Sequence, residues 1–422
     1  MSIASSLRRV TPRPRDGLER RSREGQNSIA PRFASFNRQD GQDCANGRFH
    51  VEKRALADLA DIAPAWRDLA RRALEPNVFY EPEFALATAP VFGPKVEVLL
   101  VWSRQEPRRL VGFFPFQISH RRYGLFPSVL VGWTHPYAPL GTALVDGDAP
   151  EAVVAALFDY VAASSDLPRL MLFPLAPTQG RWANALAAAL VRRGGRVALF
   201  DQHRRALLAP PGDRKTYLDR SVSRGKRKEL RRQLRRLSER GALVVSQALT
   251  PEAIGPALEA FLALEAKGWK GRTGSAAIMQ AGVGAFMRQA MHDLSARGGA
   301  RLVLLSVADR PIAAGIVLRS GERAWFWKIA YDETEARASP GVQLTIELTR
   351  SLLADATLEQ TDSCATAGHP MIDRLWLERL ELADHLLQIG PGGKARFTFA
   401  CHLETLRRGA VTMAKRLRDR LR

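Results

Sequence analysis

The chain has 422 residues, 46% hydrophobic and 25% charged, an ordinary globular composition with enough length for two domains. Its three cysteines are too few and too scattered for a disulfide framework or a zinc finger, and no apolar run reaches the length of a transmembrane helix. The net charge of +20 is concentrated: Lys and Arg outnumber acids 14 to 4 in 204–240, 10 to 5 in 1–49 and 7 to 2 in 403–422. A neutral body with three basic segments predicts that any affinity for polyanions lies in those segments.

Residues 1–46 are rich in Arg, Ser, Asn, Gln and Pro and lack apolar periodicity, so we expect a disordered basic leader. No apolar segment follows Arg8 and Arg9, which argues against an export signal and favours a cytoplasmic protein. The eight histidines lack metal-ligand spacing, so we expect no metal site.

The segment 47–208 predicts a first mixed α/β domain, because strand-like and helical patterns alternate along it. The predicted helices are 55–74, 151–163 and 181–193, and the predicted strands are 96–102, 110–118, 169–173 and 196–200.

The segment 209–402 predicts a second domain, followed by a basic helix or tail at 403–422. Its predicted helices are 213–240, which a break near 223–225 can divide, 251–267, 284–297, 341–354 and 371–380. Its predicted strands are 243–246, 301–307, 312–318, 324–331 and 358–363. The first domain shows a looser form of the same order, which indicates an internal duplication.

Four stretches of the second domain resemble the GNAT acyltransferases, and in particular the tandem FemAB-like and CelD-like (cellulose-biosynthesis-associated) bacterial proteins. They are the basic helix from 223 to 237, Glu-Ala-Lys-Gly-Trp-Lys-Gly at 265–271, Pro-Ile-Ala-Ala-Gly at 311–315, and Lys-Ile-Ala-Tyr-Asp at 328–332 with Ser-Pro-Gly at 339–341. The resemblance implies two tandem GNAT-like domains in a mixed α/β (α+β) sheet. It implies an N- or O-acyltransferase that uses acyl-CoA, such as acetyl-CoA, as co-substrate, with direct attack by an amine or hydroxyl. It also suggests cell-envelope or exopolysaccharide metabolism, with a small molecule or saccharide as acceptor.

The donor phosphates are expected where the helix after 331 begins, since the free N–H groups and positive dipole end of a helix attract anions. The expected donor-binding residues are Arg337, Ser339, Pro340, Gly341 and Lys328. A plain helix cap at Ser339 is the alternative, because one glycine stands here where GNAT enzymes usually have more. Strand alternation predicts that Lys328 and Trp327 face opposite sides of the sheet.

The expected catalytic residues are Asp362, His369 and Tyr331. A histidine has the pKa of a general base, Asp362 can orient it, and the Tyr331 phenol can protonate the leaving thiolate. Helix capping by His369 and a rim position for Tyr331 are the alternatives.

Substrate contacts are expected around the Gly-rich stretch after helix 251–267. The expected residues are Lys267, Trp269, Lys270, Arg272 and Cys364. Trp269 would cover the acyl or acceptor group on a mobile loop, or else anchor that loop on the core. For Cys364 a small buried residue is favoured over a nucleophile, and for His135 and Tyr137 a packed loop is favoured over an acceptor cleft.

The basic helix 223–240 has leucines 230, 234 and 237 on one side and cations on the other. Its cationic side leaves four partners open: CoA phosphates, an acidic acyl-carrier protein, an anionic membrane, or the tRNA of a FemAB-type aminoacyl donor. A solvated face is the simplest alternative, and a non-catalytic scaffold that binds a polyanion is the non-enzyme hypothesis.

Overall fold

The computed structural model describes residues 42–43, 47–124, 127–390 and 393–420, all within the compact unit Asp40–Arg422. Apart from 42–43, the predicted leader lies outside the described residues, and its disorder stays a prediction. The boundaries predicted between two domains also stay a prediction.

The described residues form 14 strands and 11 α-helices, joined by loops and short 3-10 turns. The strands are β1 Gln42–Asp43, β2 Phe49–Ala55, β3 Glu97–Ser103, β4 Leu110–Ser119, β5 Val129–Gly132, β6 Leu144–Val145, β7 Leu170–Pro177, β8 Arg196–Leu208, β9 Leu243–Ala248, β10 Ala300–Val307, β11 Arg310–Ser320, β12 Arg323–Tyr331, β13 Gln360–Asp362 and β14 Glu378–Gln388. The helices are α1 Ala63–Arg72, α2 Pro82–Phe92, α3 Pro150–Ala163, α4 Arg181–Arg192, α5 Tyr217–Ser221, α6 Arg224–Ser238, α7 Pro251–Lys267, α8 Trp269–Arg272, α9 Val283–Ser295, α10 Pro340–Ala354 and α11 Lys394–Arg420.

All strands belong to one mixed sheet, in the order β1-β2-β3-β4-β5-β7-β14-β8-β13-β12-β11-β10-β9, with β6 paired to β4. Strands β2 to β5 pair antiparallel, and β7 then lies parallel to β5 after helix α3. Strands β9 to β12 repeat this order, and β13 lies parallel to β12 after helix α10. The predicted duplication and the predicted mixed α/β sheet are therefore confirmed.

The predicted helix at 371–380 is wrong. Ile372, Leu375 and Trp376 have helical spacing, but they form a short turn around a 3-10 segment, Ile372–Arg374. Strand β14 follows, paired antiparallel with β7 on one side and β8 on the other. The apolar residues with helical spacing belong to the turn, whereas β14 begins at Glu378 with mixed charged and apolar residues, so the period alone does not identify the strand.

The predicted helix at 55–74 is also too long. Its first part forms two 3-10 turns, Leu56–Asp58 and Ala60–Ile62, before α1 begins. Pro64 lies in the first turn of α1, a position that tolerates proline because no N–H partner is needed there.

One apolar core joins the two repeats. Phe84 of α2 packs edge-on against Trp327 of β12 with ring centroids 5.6 Å apart, and Phe79 packs against Trp325 at 5.9 Å. These buried aromatic pairs pack the first repeat against one face of β12.

Candidate functional site

Strand β12 has an open edge. It pairs in parallel with β13 only from Arg323 to Trp325, opposite Gln360–Asp362, after which β13 ends. Among the described residues, no strand continues this pairing along 326–331. The second half of β12, at 326–331, therefore has an edge without a strand partner on the side of β13, and we term this edge, together with the loop that follows Asp362, the β12 cleft.

A β-bulge lies in β12 at the mouth of this cleft. Ile316 of β11 pairs with Lys328, and Val317 pairs with Phe326, so Trp327 is an extra residue. The bulge places Trp327 and Lys328 on the same side of the sheet, where both contact Tyr137. The prediction that they face opposite sides is wrong, because simple alternation does not hold across a bulge.

The Lys328 amine lies against aromatic rings of the cleft without a carboxylate partner in the described residues. Its Nζ atom lies 4.0 Å from the centre of the Tyr137 ring, and no hydrogen bond or ion pair to it is present in the described part of the chain. Burial and the nearby Lys270 charge together lower the pKa of Lys328 to about 8, and Glu265 opposes this change. The neutral amine is therefore more accessible near neutral pH than for an exposed lysine.

The carboxylate of Glu265 connects the Gly-rich stretch after α7 to the 3-10 turn at 277–279, near Lys328. It accepts a hydrogen bond from Lys270 Nζ at 2.6 Å and another from the Ala277 N–H at 2.8 Å. Burial, reinforced by Glu265, raises the pKa of Tyr137 to about 12, so the phenol stays protonated.

His135 is packed, as the sequence favours, and also borders the cleft. Its ring stacks on Phe92 with centroids 4.4 Å apart, and its Nδ1 atom accepts a hydrogen bond from the Tyr137 N–H at 3.4 Å. Burial, with a smaller effect from Lys328, lowers the pKa of His135 to about 3, so the ring is neutral. Sequence reasoning set this loop aside, although the aromatic and polar run at 132–137 was the signal that could have identified it.

Asp362 and His369 use their hydrogen bonds elsewhere. Asp362 forms a buried ion pair with Arg205 and accepts a hydrogen bond from the Cys364 N–H at 3.0 Å. His369 Nδ1 accepts a bond from the Met371 N–H at 3.4 Å, as in a local turn. The sequence analysis missed Arg205, because it was counted with the basic segment 204–240 and not as a partner for a buried acid.

Cys364 follows β13 with a positive φ of 52°. Burial raises the pKa of its thiol well above the ordinary value, with a further contribution from Asp362. The thiol is therefore protonated at neutral pH, which makes it a poor nucleophile.

Helix α10 begins directly beside the end of β12. Ser339 has a positive φ of 52° immediately before Pro340, and a Cβ on Gly341 would lie 3.0 Å from Cδ1 of Tyr331. The Tyr331 ring thus lies against the first turn of the helix while 39% of the residue stays exposed. Arg337 is exposed in the 3-10 turn Glu333–Ala338 before the helix.

The Gly-rich stretch after α7 is held by protein carboxylates. The Trp269 N–H and the Arg272 guanidinium both donate to Glu333, at 2.7 and 2.6 Å, and Lys270 is paired with Glu265. Trp269 itself remains 56% exposed, and Lys267 is exposed at the end of α7. Substrate contact through these side chains stays a prediction.

The basic helix α6 lies next to α10, because Gln343 Nε2 donates to the Leu230 carbonyl at 2.9 Å. The predicted break near 223–225 is present, since α5 ends at Ser221 and α6 begins at Arg224. Leu230 and Leu237 are buried, while the opposite side is exposed. Within the described residues, no carboxylate is paired with the exposed cations Lys228, Arg231, Arg232, Arg235 and Arg236.

Residues 224–365 match a family model described as an acetyltransferase (GNAT) domain. Among solved structures, the chain is similar to FemX, with 10% identity, 80% of this chain and 97% of that chain covered, and a TM-score of 0.51. It is similar, at 11% identity and a TM-score of 0.50, to the C-terminal domain (DUF2156) of an Agrobacterium fabrum protein assigned by name as a lysylphosphatidylglycerol synthetase, with 81% and 95% covered. A tandem GNAT protein from the clavulanic acid biosynthesis pathway has 13% identity, 82% and 100% coverage, and a TM-score of 0.38. No curated protein matches the chain.

Within the described ranges, no helix combines the length and the apolar character needed to cross a membrane. The same residues contain no group of three His, Cys, Asp or Glu side chains placed to hold a metal ion. The narrower CelD-like resemblance stays a prediction. Residues 224–365 thus match a GNAT acetyltransferase domain, and the chain has a GNAT fold built on a large mixed α/β sheet.

Proposed function

We propose that the chain is an acyltransferase that binds acyl-CoA, such as acetyl-CoA, along the open edge of β12. The observation that carries this proposal is the end of the β12–β13 pairing at Trp325, which leaves 326–331 unpaired on that side up to Tyr331, beside the start of α10. The amide groups of an extended pantetheine arm can pair with an open strand edge. Its pyrophosphate can then meet the free N–H groups that follow Pro340 in the first turn of α10, beginning with that of Gly341, with Arg337 and Ser339 beside it.

In the proposed reaction an acceptor amine or hydroxyl attacks the thioester carbonyl carbon. The new C–N or C–O bond forms, the C–S bond breaks, and the acceptor proton passes to a base while the leaving thiolate takes a proton from an acid. Tyr331, beside the start of α10, is the proposed acid. His369 is the proposed base, and Asp362 is a positioning residue through Arg205.

Lys328 is a second candidate for the base, because its free amine lies within the cleft on the side of Tyr137 and His135. The two candidates are discriminated by substitution, because only loss of the true base should abolish acyl transfer while donor binding persists. With Lys328 as base, activity rises around pH 8. The assay is release of the CoA thiol with a panel of amine and sugar acceptors, comparing His369→Gln and Lys328→Met.

A thermal-shift titration with acetyl-CoA, longer acyl-CoAs and free CoA tests the donor. Saturable stabilisation of about 3 kcal/mol at 100 times the dissociation constant is expected for an acyl-CoA. Gly341→Val should remove the response because its side chain would fill the start of α10 beside Tyr331. Gly255→Val is the matched control, since a Cβ at Gly255 has no neighbouring atom within 4 Å. Absence of any CoA response contradicts the proposal.

An aminoacyl-tRNA donor of the FemAB type is the second candidate. The exposed cations of α6 lie beside the start of α10, where they can follow an RNA backbone. Bulk tRNA added at two salt concentrations discriminates the donors. A strongly salt-sensitive thermal shift with tRNA and none with CoA favours this candidate. The absence of a thermal shift with either ligand favours a carrier-protein donor or a non-catalytic scaffold.

The FemAB-like and CelD-like resemblance supports a cytoplasmic reaction in cell-envelope or exopolysaccharide metabolism. The acceptor would then be a small molecule or a saccharide that enters beside Tyr137 and His135.

A further inference from the structure

Helix α11 has one side packed on the sheet. Phe397 and Ala400 are buried in an apolar cluster with Leu172 of β7 and Leu386 of β14. Glu404 is fully buried and accepts two hydrogen bonds from Arg122, at 2.8 and 2.9 Å. The first three turns of α11 are therefore firmly attached to the protein body.

The opposite side of α11 carries an exposed apolar stripe. Phe399, Leu406, Met413 and Leu417 are 56%, 70%, 65% and 56% exposed. Their spacings of seven, seven and four residues place them on one face, and Leu403 and Ala410 lie between them on the same face. From Phe399 to Leu417 the stripe is about 27 Å long at 1.5 Å per residue.

Cations flank this stripe. Arg407, which also pairs with Glu404 at 2.7 Å, lies on one side of it and Arg416 on the other, and every residue from 411 to 417 is exposed. The 403–422 segment contains 7 Lys or Arg and 2 acids, and one of those acids, Glu404, is already buried against arginines. The exposed part of the helix is thus apolar along its centre and positive along its borders.

This charge pattern decides between possible occupants. A second copy of α11 would bring Arg407 and Arg416 against like charges at the positions that flank a helix pair. The segment 1–49, with 10 Lys or Arg against 5 acids, is also positive. An anionic bilayer complements both the apolar stripe and its flanking cations. Its headgroups pair with arginines, and its acyl boundary buries the apolar side chains without needing a pocket of complementary shape.

We propose that the exposed face of α11 docks the protein on the surface of an anionic lipid bilayer. The apolar stripe from Phe399 to Leu417 lies at the boundary between headgroups and acyl chains, parallel to the membrane plane. Arg407 and Arg416, at the two borders of the stripe, extend toward lipid phosphates. This docking is independent of the acyl-transfer proposal, since it uses no residue of the β12 cleft.

Co-sedimentation of the full chain with vesicles tests this proposal. Vesicles of phosphatidylcholine with about 30% phosphatidylglycerol are compared with pure phosphatidylcholine, at low and high salt. The double variant Leu406→Asp and Met413→Asp changes two exposed stripe residues. The control Thr405→Asp and Thr412→Asp adds the same charge at exposed positions of the same helix outside the stripe.

Wild type is expected to bind the anionic vesicles about tenfold more tightly than the neutral ones, with binding that weakens at high salt. The stripe variant should lose at least about tenfold in binding with an unchanged Tm, and the control should lose much less. Equal loss in both variants, or no binding by wild type, overturns the proposal. A wild-type dimer in sedimentation that the stripe variant dissociates assigns the face to a second copy and also overturns it.

Discussion

Lys328→Met should stabilise the protein near neutral pH and remove a specific part of its pH dependence. Lys328 has an ordinary pKa of 10.5 and a folded-state pKa of about 8, because burial and Lys270 disfavour its charge. At 1.36 kcal/mol per pH unit, this difference corresponds to about 3 kcal/mol of penalty at pH 7. Between the two pKa values the unfolded chain holds more protons than the folded chain, so the free energy of unfolding rises with pH.

The assay is urea denaturation of wild type and variant from pH 7 to pH 10. The free energy of unfolding of wild type should gain about 2–3 kcal/mol relative to Lys328→Met across this interval. Lys53→Met is the control. Despite partial burial, its partner Asp166 raises the pKa of Lys53 above the ordinary value, so Lys53 changes the free energy of unfolding only above the pH range of the assay. Parallel curves for wild type and Lys328→Met would refute the assignment of Lys328 as a buried, uncompensated amine.

Gly271→Ala should lower the Tm, because its Cβ would collide with the Ala266 carbonyl oxygen, whereas Gly255→Ala on open helix surface should not. Glu404→Gln should cost about 3–5 kcal/mol in denaturant unfolding, because it leaves buried arginines without their counter-charge. Burial opposes the charge of Glu404, but hydrogen bonds from Arg122 and Arg407 outweigh it and lower the pKa of Glu404 to about 2. Its contribution to the free energy of unfolding is therefore present above about pH 4.5 and is lost as the pH falls to 2, where wild type and variant should become equally stable. Asp362→Asn should cost about 3 kcal/mol or more by isolating Arg205. The exposed pair control Asp61→Asn should cost less than about 1 kcal/mol, and equal costs would contradict the buried-pair argument.

Much of the fold follows from local patterns. Helix α7 is predicted from 251 to 267 and has those bounds, because a Thr250 cap and Pro251 mark its start and Gly268 marks its end. The meander β10 to β12 is predicted because its strands alternate or carry β-formers across recognisable turns. Strand β14 could not be predicted in this way, since its character depends on β7 and β8, far away in sequence.

The site was only partly accessible to sequence reasoning. The Ser-Pro-Gly run located the start of α10 beside Tyr331 because proline and glycine leave a local signature there. The bulge at Trp327 leaves no such signature, because it depends on the register with β11. The contacts of Lys328 with Tyr137 and of Asp362 with Arg205 join residues more than 150 positions apart, so only the folded chain shows them.

Amide hydrogen exchange of the full chain with and without acyl-CoA tests the central claim most directly. The account predicts that saturating acyl-CoA slows exchange along the open edge of β12, at 326–331, and in the first turn of α10 from Gly341 onward. Strands β2 and β3, remote from the cleft, should exchange equally with and without the donor. Unchanged exchange in β12 and α10 at an acyl-CoA concentration that raises the Tm would contradict the account, because the donor would then bind elsewhere.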